Sequence, residues 1–422
     1  MARKMKDSGI EWIGEIPEGW ETINPKALFA QRKDRALKGE RQLTSSQQYG
    51  ILYQDEYMEL TGSKVVTVEK DFDILKHVEA GDFVISMRSF QGGLEYSTKS
   101  GAISSAYVML VPNLELVYPR FYRWLLKSSV YIDALQRTTN MVRDGQAMRY
   151  SNFAQVRLFT LPLDEQKSRA DFLDLECSSI DKILFKTRSS IEEYKKLKQA
   201  VITQAVTKGV RGEREMKDSG VEWIGEIPKE WGILDLVAHT SMLTPMRDRP
   251  ENLDGPIPWI RIEDFDGKYI SSSKASLGVS KETVRSMNLK IYPVGTILCT
   301  SSCIMGKCAI VSRELVSNQR FIGIIPDQNT CENFLYYLML SNSERMNYLA
   351  TGALQANLSR SSFEHLKVQF PSYQEQKEIS DYLDTKCAEI DKLIAKKEQL
   401  VKELESYKKS LIYEVVTGKR EV

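Results

Sequence analysis

The chain has 422 residues, 42% of them hydrophobic and 27% charged, with 58 lysines and arginines against 57 acidic residues and a net charge of +1. The length exceeds one ordinary core and implies roughly two to four domains, and the near-neutral balance excludes a bulk basic field, so any nucleic-acid binding has to come from local faces. No apolar run reaches the length of a membrane span and the start, MARKMKDSG, lacks the apolar stretch of a secretion signal, which makes a cytoplasmic location the expectation.

Residues 5–20, MKDSGIEWIGEIPEGW, return as MKDSGVEWIGEIPKEW at 216–231, with thirteen of sixteen positions identical. Trp12, Trp20, Trp223 and Trp231 lie in these blocks, and a tryptophan pair beside Gly and Pro predicts a compact docked turn. Residues 21–158 follow, with β-rich runs at 64–69 and 82–87, a helix-like stretch at 119–135, and a polar loop closing on a short strand at 145–162.

Residues 164–207 contain no Gly or Pro and carry apolar residues at Leu173, Ile180, Ile183, Ile191, Tyr194, Leu197, Val201 and Ala205, which predicts a coiled-coil helix between Pro162 and Gly209. After the second block, residues 232–369 repeat the plan. The β-rich runs are 291–300 and Cys308–Val311, the helix-like stretch is 331–349, and 354–371 closes the segment. Residues 374–417 then predict a second long helix between Pro371 and Gly418, apolar at Ile379, Leu383, Ile390, Leu393, Ile394, Leu400, Val401, Leu404, Tyr407, Leu411 and Val415. The two helical segments match without gaps: Glu165-Gln166-Lys167 with Glu375-Gln376-Lys377, Cys177 with Cys387, Ile180-Asp181-Lys182 with Ile390-Asp391-Lys392.

The predicted fold class is therefore α+β: two mixed α/β domains separated by two long antiparallel coiled-coil helices, as a pseudo-two-fold internal repeat. The expected boundaries are 1–158, 159–215, 216–369 and 370–422. Each helix would be about 66 Å long, a fixed ruler of about two turns of DNA; an ordinary dimerisation coiled coil is the plainer reading of the helices alone. The Glu-Gln-Lys triplets read as helix-start chemistry, with glutamate on the macrodipole, rather than as half of a nuclease signature.

Arg pairs with guanine, and Asn or Gln with adenine. Candidate DNA contacts are Arg88, Arg143, Gln146, Arg149 and Tyr150 in the first variable segment. In the second they are Arg247, Arg249, Arg261, Lys307, Asn318, Gln319, Arg320, Gln355, Asn357 and Arg360; a solvated surface charge or a turn hydrogen bond is the competing account of each. The chain has no Pro-Pro pair for a methyltransferase motif and no complete Walker loop, and His77, His239 and His365 are scattered, so no catalytic site is expected. Of six cysteines, expected as free thiols, Cys299, Cys303 and Cys308 lack zinc spacing and read as buried or half-buried strand thiols.

The combination resembles the specificity subunit of type I restriction–modification systems. The residues that carry the likeness are S-G-I/V-E-W-I-G-E-I-P at each unit's start, G-T-I-L…N-Q-R-F-I-G-I-I-P at 295–326, Q-A-N-L-S…F-E-H-L-K-V at 355–368, and the paired E-Q-K and I-D-K helices. The first segment departs from it, with Ser-Ser-Ala-Tyr at 104–107 where the second has Ser-Asn-Gln-Arg-Phe at 317–321. The resemblance implies two target-recognition domains, each reading half of a bipartite double-stranded DNA site. It implies no cofactor in this chain, two methyltransferase subunits that flip adenines with S-adenosylmethionine, and a motor–nuclease subunit using ATP and magnesium. A coiled-coil scaffold, or a DNA reader in another methylation-based defence system, is the alternative.

Overall fold

The computed structural model describes residues 3–68, 72–86, 89–138, 148–245, 248–302, 306–350 and 358–422, except for the side chains of Phe90 and Gln91. The chain divides into two compact units, Met1–Arg188 with Gln399–Val422, and Ser189–Glu398. Each unit thus holds one mixed domain and a stretch of both long helices, which run Leu163–Lys208 and Tyr373–Val416.

The two domains share a sheet. In the first unit the strand order is Phe29–Arg32, Val108–Pro112, Phe83–Ile85, Glu95–Tyr96, all antiparallel. In the second it is Thr240–Leu243, Phe321–Pro326, Ile297–Thr300, Cys308–Val311, the same order, with Tyr269–Ile270 added in parallel at the edge. A two-stranded pair closes each domain, Glu21–Ile23 with Leu158–Thr160 and Gly232–Asp235 with Lys367–Phe370. The inward faces are apolar, and Phe29, Phe83, Phe121 and Phe153 fill the first core as Phe334, Leu335 and Phe363 fill the second.

The repeated blocks explain the repeated triplets. Each block opens with a short hairpin, Met5–Asp7 with Glu15–Pro17 and Met216–Asp218 with Glu226–Pro228, then buries its last tryptophan. The Trp20 indole donates to Glu165 Oε2 at 3.1 Å, and the Trp231 indole to Glu375 Oε2 at 3.0 Å. An arginine upstream of each block completes the arrangement. Arg3 lies 5.7 Å over Trp20 and pairs with Glu165, and Arg214 lies 5.1 Å over Trp231 and pairs with Glu375.

The neighbouring glutamine is buried in both halves and joins three backbone groups. Gln166 accepts from the Tyr118 amide and donates to the Leu116 and Leu161 carbonyls; Gln376 accepts from the Cys331 amide and donates to Asn329 and Pro371. The glutamate lies in the first turn, as the macrodipole account expects, and is in addition an ion-pair and indole partner.

Within each unit the helices pair antiparallel, through the I-D-K aspartates. Asp181 takes Lys408 in the first unit and Asp391 takes Lys198 in the second, the same pair written twice. Leu173, Cys177, Ile180, Leu184 and Thr187 form the buried seam of the first helix in steps alternating four and three. Ile183, Leu197, Leu393, Leu400 and Tyr407, expected in the seam, are exposed instead. Ile183 precedes the seam residue Leu184, and one residue turns a helix by about 100°, so an average spacing near 3.5 does not say which apolar residue faces inward.

Other expectations shift locally. The stretch 119–135 is two helices, Pro119–Leu125 and Ser129–Arg137, because the Ser128 hydroxyl caps the second. The stretch 331–349 likewise splits into Glu332–Ser341 and Ser343–Leu349. Residues 64–68 form no strand: the Gln42 side chain takes both the amide and the carbonyl of Val68 in place of a ladder partner, while Glu69 lies outside the described residues. The predicted run 291–300 begins its strand only at Ile297, after Pro293 and after Gly295 at φ +86°. The run 82–87 is a strand over Phe83–Ile85 alone, and Met87 lies outside the described residues. Both closing loops contain a one-turn helix that the sequence pattern did not indicate, Tyr150–Gln155 and Arg360–Glu364.

Burial alone would raise the Glu165 carboxyl, but hydrogen bonds from Arg3, Arg169 and Trp20 override it and hold it at about 2 against an ordinary 4.5. The stability this carboxylate contributes is complete above about pH 4.5 and disappears as pH falls toward 2. The gap in urea midpoint between the wild type and Glu165→Gln should therefore shrink across that window, and a gap constant from pH 5 to pH 2 would remove the charge from this role. Trp20→Ala should cost about 3–5 kcal/mol by the same measurement.

Candidate nucleic-acid interface

The shared strand order fixes which loops meet. In the second unit, Leu243 ends the first strand opposite Gly323, Thr300 pairs with Phe321, and Cys299 pairs with Cys308. Residues Thr244 and Pro245 after the first strand, residues 301–302 and 306–307, and the 318–320 turn therefore emerge at one end of the sheet. Residue 358 joins them through Leu358 N–H to the Ser301 carbonyl at 2.9 Å, and the Ser301 amide donates to Arg320 O at 2.8 Å. A cleft of about 300 Å³ opens there, lined by Thr244, Ser301, Gln319, Phe321, Leu358 and Arg360.

This end gathers several of the sequence-predicted residues. Gln319 and Arg320 are exposed, and Lys307 is exposed just before the strand Cys308–Val311. Asn318 is half-buried; its side chain accepts from the Arg320 amide at 3.1 Å and so shapes the turn that presents its neighbours. Arg261 arrives through the adjoining small sheet, where the Asn318 amide donates to the Ile260 carbonyl. The Arg261 guanidinium pairs with Glu263 at 3.0 Å, and that of Arg360 with Glu364 at 2.7 Å. Arg249 is exposed in irregular chain beyond the first strand. Thr244 and Ser301 also line the cleft, and no feature of residue type or spacing would have singled them out.

In the first unit Arg149 is exposed at the start of its short helix. Tyr150 is half-buried, stacks on Phe153, and donates its hydroxyl to the Phe29 carbonyl at 3.1 Å. Arg88, Arg143, Gln146, Arg247, Gln355 and Asn357 lie outside the described residues, as does Cys303. The five described cysteines are buried free thiols, with Cys299 and Cys308 facing each other across two strands. Among the described residues no group of His, Cys, Asp and Glu is arranged to hold a metal ion, and no helix is long and apolar enough to cross a membrane.

Residues 234–403 match the family described as the type I restriction modification DNA specificity domain. The MjaIX specificity subunit of a type I restriction enzyme from Methanocaldococcus jannaschii is 33% identical over 41% of each chain. The putative MjaX specificity subunit of the same organism is 24% identical over 96% of this chain and 95% of its own. By these matches the chain is similar to the type I restriction–modification specificity subunits. A solved chain from a structure concerning complex assembly and conformational transition of a type I system shares the fold, with a TM-score of 0.71 at 12% identity over 96% of this chain and 99% of that one. The specificity subunit is the non-catalytic, DNA-specifying part of such a system.

Gln319→Ala should leave the melting temperature of the chain unchanged, since the side chain is exposed. Tyr150→Phe should lower stability by about 1 kcal/mol through the lost hydrogen bond and leave sequence preference intact. Altered preference with Tyr150→Phe would place that hydroxyl at the DNA.

Proposed function

We propose that each unit reads one half of a two-part site on double-stranded DNA, and that the complex built on this subunit methylates adenine and restricts DNA lacking that mark. The carrying observation is that one sheet order occurs in both units, with the loops at its corresponding end differing in composition. A common scaffold with different loops is what two readers of different sequences require, because base edges are distinguished by side-chain hydrogen bonds while phosphate contacts only set register.

The base contacts proposed among the described residues are Gln319, Arg320, Lys307, Arg249, Arg261 and Arg360 in the second unit and Arg149 in the first, with Asn318 positioning. Arg88, Arg143, Gln146, Arg247, Gln355 and Asn357 remain proposed on their sequence alone, and Tyr150 is the weakest of the set because its hydroxyl already has a partner. The partners proposed are two methyltransferase subunits, which bring S-adenosylmethionine and extrude the target base, and motor–nuclease subunits, which bring ATP and magnesium. No cofactor is assigned to this chain.

The test is a methylation map. The subunit and its cognate methyltransferase, expressed in a host without adenine methylation, should produce one split motif methylated on both strands. Exchange of residues 21–158 for those of another specificity subunit should change one half of that motif. No methylation from an intact, bound methyltransferase would favour the scaffold, and a change in both halves would end the modular reading.

A further inference from the structure

The two units agree in their shared sheet and diverge in the segment between its first and second strands in chain order. Residues 244–296 hold Ile257–Ile260, which pairs antiparallel with Gly278–Val279 and parallel with Val316–Ser317. Residues 33–82 hold instead a β-hairpin, Leu43–Ser46 with Gly50–Tyr53, followed by the helix Gln54–Thr61. Among the described residues the second unit has no such hairpin.

The hairpin's three-residue loop is Gln47-Gln48-Tyr49, closed by Gly50 at φ +75°, a conformation other residues rarely adopt. The Gln47 side chain packs on Gly92, where a Cβ would come within 2.9 Å of its Cγ. Gly92 ends the helix Ser89–Gly92, which comes in chain order between Phe83–Ile85 and Glu95–Tyr96, the counterparts of Ile297–Thr300 and Cys308–Val311, so the tip sits at the sheet end that corresponds to the cleft of the second unit. Tyr49, 40% exposed, meets Tyr57 edge to face at 6.4 Å, which braces the tip against the following helix. Gln48 is exposed between these two anchors. A cavity of about 680 Å³ with a mixed lining opens beside the hairpin, with Thr44, Ser45, Tyr57 and Lys64 beside Val66 and Ile74 in its wall. The nearby carboxylates are spoken for: Asp55 pairs with Arg41, and Glu56 with Lys99.

We infer that the Gln48–Tyr49 tip is a base-reading element of the first unit, with no equivalent among the described residues of the second. This rests on the proposal that the units read DNA. A glutamine amide held at the end of a braced hairpin offers the donor–acceptor pair that matches adenine in the major groove. Tyr49 presents an apolar ring edge and a hydroxyl beside it. A two-stranded ribbon is one of the shapes that groove admits.

The experiment selects duplexes from a randomised library with the complex of this subunit and its methyltransferase, comparing wild type, Gln48→Ala, Tyr49→Ala and, for the other unit, Gln319→Ala. Thermal melts verify that each variant is folded. The wild type should select a motif in two blocks. Gln48→Ala and Tyr49→Ala should each lose on the order of tenfold to a hundredfold in preference at one or two adjacent positions of one block, with the other block unchanged. An unaltered motif from both variants, or equal weakening of both blocks, would overturn the inference. Absence of any motif from the wild type would instead refute the proposed function beneath it.

Discussion

The hydrogen bond from a buried indole to the first glutamate of a long helix organises each unit. Trp20 and Trp231 sit where their repeated blocks end, and Glu165 and Glu375 where the helices begin. A buried carboxylate is costly unless it is paired and hydrogen-bonded. Here the upstream arginine supplies the charge and the indole a further donor. The adjacent glutamine fastens the N-terminus of a domain helix to the same spot. One turn of helix therefore locates the Trp block, the mixed domain and the helix itself.

The end of the opposite helix closes the arrangement. In the first unit Arg169 is buried and donates to the carbonyls of Val415 and Arg420, holding the last turn of the second helix. Gly418, at φ +76°, packs so closely on Pro17 and Trp20 that a Cβ would fall 2.5 Å from the proline ring. In the second unit Gly209 adopts the same φ against Arg214 and Glu375. The exposed lysine–aspartate pairs between the helices are individually worth little. They and the heptad seam set register, while the Trp–Glu–Arg groups supply the buried contacts that break when register slips.

The same scaffold accounts for divergence where function requires it. Strand order, closing pair and helix docking recur in both units, whereas the segment between the first two strands in chain order takes unrelated forms. Loops at a sheet end can change without disturbing the core beneath, because their backbone is solvated and their side chains do not pack into it. The cleft beside Gln319 and the tip at Gln48 both occupy such positions.

Much was legible in the residues alone. Near-identity of two tryptophan blocks establishes duplication, and Gly- and Pro-free segments ended by Gly209 and Gly418 establish two long helices, because backbone propensity and periodicity are local properties. The paired E-Q-K triplets marked a conserved task within the chain without revealing it, since their partners lie some 145 residues away in sequence. Tertiary structure decided which apolar residues enter the seam, so that Leu184 is buried and Ile183 exposed. It decided that the hydroxyl of Tyr150 serves a backbone carbonyl while Gln319 stays exposed at the cleft. It also decided that a strand starting at Phe321 brings the 318–320 turn beside Ser301 and Leu358. Strand pairing joins residues remote in sequence through backbone bonds that any side chain permits, and for that reason residue identity could not place them.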